Sequence, residues 1–107
     1  MATIKQNHSL PFQQTASGTT SAVATQTGVA NTTYYITDIS GSSDKAGALI
    51  LVKNGTTIIW QDIINTTAYT HSFIQPLKGS IGADVSVTVD GTAASKANMA
   101  GFIVNNT

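Results

Sequence analysis

The chain predicts an all-β fold: an antiparallel β-sandwich with jelly-roll or Greek-key connections and about seven to eight short strands. Three observations carry that expectation. Short runs rich in Val, Ile, Thr and Tyr recur along 107 residues, each bounded by Gly, Asn, Ser or Pro. The helix-face residues Glu and Arg are absent, so no long helix has the side chains it needs. A pair of apolar runs flanks Asn54-Gly55, the signature of a β-hairpin.

Residues 1–20 read as an N-terminal extended arm, and 21–107 as the sandwich domain. In the arm only Ile4, Leu10 and Phe12 are large and apolar, with Pro11 as a stiff point, which makes Leu10 and Phe12 the expected anchors on a partner. Ser21 to Thr27 forms a weak strand, closed by Gly28 and Asn31. Thr32 to Ile39 is stronger, with Tyr34, Ile36 and Asp38 on one face and Tyr35, Thr37 and Ile39 on the other. Ser40 to Gly47 is rich in turn formers and reads as a loop.

The hairpin from Gly47 to Ile64 is the stretch that the rest must accommodate. A two-residue loop at Asn54-Gly55 sets Lys53 opposite Thr56, Leu51 opposite Ile58 and Leu49 opposite Trp60. The second face then carries Ile50, Val52, Thr57, Ile59 and Ile63, so both faces are apolar. A sheet with one wet face alternates apolar and polar, so this ribbon needs two covers. One is the domain's own second sheet. The other is a neighbouring subunit or a long loop, and Ile50, Val52, Ile59 and Ile63 are the expected oligomer or capsid interface.

Asn65-Thr66-Thr67 turns the chain into Ala68 to Ile74, with Tyr69, His71 and Phe73 on one face. Pro76 cannot donate to a ladder and ends that strand, leaving residues 75–82 as a connection. Asp84 to Asp90 alternates cleanly, Val85, Val87 and Val89 pointing inward. Residues 91–96 form a loop, and Asn98 to Val104 the last strand, with Gly101 at a bulge or close crossing.

Charged residues make up 9% of the chain, five Asp and five Lys, for zero net charge. With usual domains near ~25%, there is no basic footprint for nucleic acid. No cysteine is present, so thiolate chemistry and disulfides are excluded. No run of 18 apolar residues and no basic-then-apolar N-terminus occurs, so the expectation is a chain that neither spans a membrane nor enters a secretion pathway. A hydroxyl-rich, charge-poor surface made in a cytoplasm fits a particle released by lysis.

Material for catalysis is thin. His71, Ser72 and Asp62 can be drawn as a triad, but no Gly-x-Ser-x-Gly elbow surrounds any serine. A glycosidase needs two carboxylates across a cleft, for which Asp62 with Asp84 or Asp90 would have to serve, and isolated Asp residues at strand ends read as turn residues. His8 and His71 lie too far apart in sequence to suggest a metal site. The expectation is no enzyme, no cofactor and no metal.

The segments Leu49 to Trp60 and Phe73 to Val87, together with the closing Asn98-Met99-Ala100-Gly101-Phe102, resemble small proteins of tailed bacteriophages. In that group a leucine-rich strand, Lys, an Asn/Asp-Gly-Thr turn and a Trp-bearing strand precede a Phe-x-x-Pro-Leu-Lys-Gly connection, here Phe73 to Gly79. The resemblance is to capsid decoration, or cement, proteins. It implies a β-sandwich structural protein on the outside of the phage head, bound to the major capsid protein and to itself as a homotrimer, assembled in the host cytoplasm. The alternative is a carbohydrate- or receptor-binding module of a tail fibre or spike, with Tyr34, Tyr35 or Tyr69 stacked on a sugar.

Overall fold

The computed structural model describes residues 10–65 and 68–105. Its eight strands are β1 (Leu10–Gly18), β2 (Ser21–Gln26), β3 (Thr32–Ser43), β4 (Ala48–Asn54), β5 (Thr57–Ile64), β6 (Ala68–Lys78), β7 (Val85–Asp90) and β8 (Ser95–Asn105). They form two four-stranded sheets, ordered β1-β8-β3-β6 and β2-β7-β4-β5. Every pairing is antiparallel, and the first strand pairs with the last, the second with the seventh, the third with the sixth and the fourth with the fifth. One long antiparallel ribbon, with the β4–β5 hairpin at its tip, has thus wrapped into a two-sheet jelly roll.

The core lies between the sheets. Ile50 and Val52 of β4, Val85, Val87 and Val89 of β7, Tyr34, Ile36 and Ile39 of β3, and Met99 of β8 are all buried. The alternating valines of β7 point inward, as their spacing requires. Gly101 of β8 lies under the Phe12 ring and beside the Tyr35 carbonyl oxygen, where a Cβ has no room. Its absence of a side chain is what lets Phe12 settle edge-on against Tyr34, ring centroids 5.5 Å apart.

Four expectations are corrected. Residues 10–18 of the expected arm are strand β1, hydrogen-bonded along β8 from Leu10↔Ile103 to Gly18↔Ser95; residues 1–9 lie outside the described residues. Phe12 is therefore a core residue. The expected loop at 40–47 is largely strand, because Ser40, Gly41, Ser42 and Ser43 all pair with β8. Pro76 does not end β6. Between Ser72 and Leu77 the four residues 73–76 bow out opposite Thr37 alone, leaving Ile74 fully exposed, and proline is tolerated in an edge strand at such a bulge.

The hairpin register also differs. Asn54 pairs with Thr57, so the loop is Gly55-Thr56; Gly55 has φ +62 and Thr56 stays at negative φ, the pattern of a type II′ turn. That shift of two residues leaves the faces unchanged. A bulge at Ile59 then adds one more, so Val52 faces Trp60 and Leu49 faces Ile63. Because side chains alternate with period two, the extra residue sends Trp60 to the inner face and Ile63 to the outer.

Candidate functional site

The two outer faces of the sandwich differ in chemistry. On the β2-β7-β4-β5 sheet, register places Ser21, Asp90, Leu49 and Ile63 in one row, Val23, Thr88, Leu51 and Gln61 in the next, and Thr25, Ser86, Lys53 and Ile58 in the third. Leu49, Ile58, Ile63 and Val23 are 43%, 47%, 47% and 51% exposed. The β4–β5 half of this face is therefore an aliphatic patch in a polar border. Scattered apolar side chains need no explanation, but adjacent ones on neighbouring strands mark a surface that gains by being covered.

The six expected interface residues do not share one surface. Ile50 and Val52 have no exposed area, Phe12 is buried and Ile59 packs against the core, so these four face inward. Leu10 and Ile63 are exposed, but on different sheets. The hairpin does carry apolar residues on both sides; the sides are exchanged. Lys53 was the legible signal, since it stands in line with Leu49 and Leu51 and a cation belongs to the wet face.

On the β1-β8-β3-β6 sheet the outer rows are Pro11, Phe102, Tyr35 and Lys78; Gln13, Ala100, Asp38 and Ser72; Thr15, Asn98, Ser40 and Thr70; and Ser17, Lys96, Ser42 and Ala68. Tyr35 and Phe102 stack across strands, centroids 4.8 Å apart and 11° from parallel. Asp38 is on this face because of a bulge. Thr37 has no partner on β6 or β8, and this one unpaired residue turns Asp38 outward and Ile39 into the core. Strict alternation would have put Asp38 beside Tyr34 and Ile36. Ser72 Oγ donates to Asp38 Oδ1 at 2.6 Å and Thr37 Oγ1 to Oδ2 at 2.8 Å, and these two bonds, Ser72 first, hold the carboxyl below its ordinary value.

The seam between the edge strands β5 and β6 is filled by rings. Trp60 lies against Tyr69, His71 and Phe73 at centroid distances of 6.2, 5.1 and 5.4 Å. Tyr69 OH donates to Asp62 Oδ2 at 2.6 Å. Burial first and this bond second push the Tyr69 hydroxyl up to about 12, while the same bond keeps the Asp62 carboxyl low.

No catalytic constellation assembles among the described residues. His71 and Ser72 are successive residues of β6 on opposite faces, and Ser72 serves Asp38 on the far side from Asp62. Asp84 and Asp90 flank opposite ends of β7, Asp84 accepting from the Gly28 amide at 2.6 Å. No group of three His, Cys, Asp or Glu side chains that could hold a metal ion occurs among the described residues. Of the tyrosines expected to meet a sugar, Tyr34 is buried with its hydroxyl on the Thr27 carbonyl, Tyr69 turns into the seam, and Tyr35 has a ring face against Phe102.

No family model and no curated protein matches the chain. Solved structures do. The C-terminal CBM6 of LamC, a marine laminarinase from Zobellia galactanivorans, aligns over 89% of this chain and 99% of its own with TM-score 0.51 at 11% identity. The insecticidal delta-endotoxin Cry8Ea1 from Bacillus thuringiensis aligns over 88% of this chain at TM-score 0.48 and 15% identity, and the chain spans only 19% of that protein. The virus-like particle of the prawn extra small virus, from Macrobrachium rosenbergii, aligns over 96% of this chain and 82% of its own at TM-score 0.43 and 11% identity. At these identities the likeness is one of fold: this chain is an antiparallel β-sandwich of the kind that CBM6 shares.

Proposed function

We propose that this chain is a structural protein of a phage particle, a decoration or cement protein. It docks on the major capsid protein and on its own copies, as a homotrimer, through the outer face of the β2-β7-β4-β5 sheet. The observation that carries the reading is the aliphatic patch of Leu49, Leu51, Ile58 and Ile63, beside a core already filled by the other side of the same hairpin. The resemblance of the β4–β5 and Phe73–Val87 segments to phage head proteins supports it. The mechanism is mass action: a protein that binds only the assembled shell stabilises it by RT ln(1 + [L]/Kd) at each site. Trimerisation multiplies the sites engaged by each particle-bound unit.

The test is co-sedimentation with heads of the parent phage that lack the protein, with sizing of the unbound form. Wild type is expected to sediment with heads, and Ile58→Asp to stay in the supernatant with an unchanged melting temperature. Heads that take up Ile58→Asp as well as wild type would overturn the assignment. A binding module of a tail fibre or spike is the second reading, favoured by the polar outer face of the other sheet and by the fold shared with CBM6. Retention on host envelope instead of on heads would establish it.

A further inference from the structure

We propose that the outer face of the β1-β8-β3-β6 sheet carries a binding site for a single neutral pyranose ring, seated over Ala100 with Asp38 as its central acceptor. The site is a shallow depression of about 140 Å³ lined by Gln13, Asp38, Ser40, Thr70, Asn98 and Ala100. It exists because a small side chain stands in the middle of a sheet face whose neighbours are longer. Tyr35 and Phe102, one row along, stack on each other and do not line it. The volume is well under the roughly 300–1,000 Å³ of pockets for drug-sized ligands, so it suits one ring and not an extended chain.

The lining chemistry selects the ligand. Hydroxyl groups both donate and accept, and the depression offers both kinds of partner: hydroxyls from Ser40 and Thr70, amides from Gln13 and Asn98, and one carboxylate. Asp38 accepts only, and its two hydrogen bonds from Ser72 and Thr37 fix its orientation while leaving lone pairs for two further donors. Asn98 is fixed likewise, its Nδ2 donating to Ser40 Oγ at 3.1 Å. The carboxylate has no cation beside it among the lining residues, which disfavours phosphates, sulfates and acidic sugars. The apolar floor at Ala100 suits the C–H face of a pyranose. The bulge at Thr37 supplies the independent observation, since it exposes a carboxylate in mid-strand where unbroken alternation would bury it.

This site does not rest on the decoration reading. It lies on the sheet opposite the aliphatic patch, so a protein docked through that patch would present the depression outward.

The experiment is an amide-correlation NMR titration of the full chain with the methyl glycosides of glucose, galactose and mannose and with N-acetylglucosamine, up to about 50 mM. At least one sugar is expected to cause saturable shifts centred on Gln13, Asp38, Ser40, Asn98 and Ala100, with a dissociation constant of about 1 mM. Ala100→Leu fills the depression from the solvent side, and Asp38→Ala removes the acceptor. Each is expected to weaken binding at least tenfold with an otherwise unchanged spectrum. Thr25→Ala, on the other sheet, is expected to bind as wild type. No saturable shift with any of the four sugars would overturn the proposal, as would shifts that survive in Ala100→Leu or that centre on another face. Head binding is read in a separate assay, so loss of one function does not imply loss of the other.

Discussion

Adjacent residues of β4 offer a direct test of which side of the hairpin is core. Ile50 has 0% of its surface exposed and Leu49 has 43%, although they are neighbours of similar size. Truncating a fully buried Ile to Ala removes its transfer free energy and leaves a cavity that packed neighbours only partly fill, at a cost of about 2–5 kcal/mol. For a domain of about 100 residues that lowers the melting temperature by roughly 10–25 °C. Leu49→Ala removes atoms that already touch water, so its cost in the isolated subunit is within about 1 kcal/mol. The assay is thermal unfolding by circular dichroism at protein concentrations low enough to keep subunits apart, since association would itself raise the transition. Ile50→Ala is expected to melt far below wild type, and Leu49→Ala within about 4 °C of it. The two variants exchange places if the hairpin faces are assigned backwards, and that ranking would refute the register given above.

Three other predictions follow from specific contacts. Gly101→Ala places a Cβ against the Tyr35 backbone and the Phe12 ring, and is expected to cost about 1–3 kcal/mol in chemical denaturation; a neutral result would mean that β3 and β8 are further apart than described. Asp38 and Asp62 are both held below their usual 3.8 by hydrogen bonds, so the stability they contribute is complete above that value and is lost as pH falls through the lower folded value. The double variant Asp38→Asn/Asp62→Asn should therefore lose less melting temperature on acidification than wild type, and equal acid slopes would count against these bonds. Tyr69, pushed to about 12, should give its phenolate absorbance well above the ordinary tyrosine value of about 10. The difference titration between wild type and Tyr69→Phe isolates its signal, and Asp62→Asn should bring it down.

Much of this molecule was legible in linear order because the relevant physics is local. Absence of Glu and Arg, β-branched runs and turn residues at short intervals dictate strands and forbid helices, whatever the tertiary arrangement. The alternation of Val85, Val87 and Val89 needed only the pleat to be read correctly. Gly101 stood out as a bulge or a close crossing because a glycine amid strand formers has few other uses, and the contact with Tyr35 and Phe12 makes it the second.

What the chain order left open depends on contacts between distant residues. Strand β1 looks like a polar arm because only one of its faces touches the core, and its partner β8 is the last strand of the chain. The bulges at Thr37 and Ile59 are decided by what lies across the ladder, yet each reverses the faces beyond it; that is why Asp38 reaches solvent and Ile63 leaves the core. Local sequence thus determined that the hairpin is apolar on both sides. Only the wrapped ribbon, by laying Ile50 and Val52 against β7 and the opposite sheet, decided which side remained at the surface.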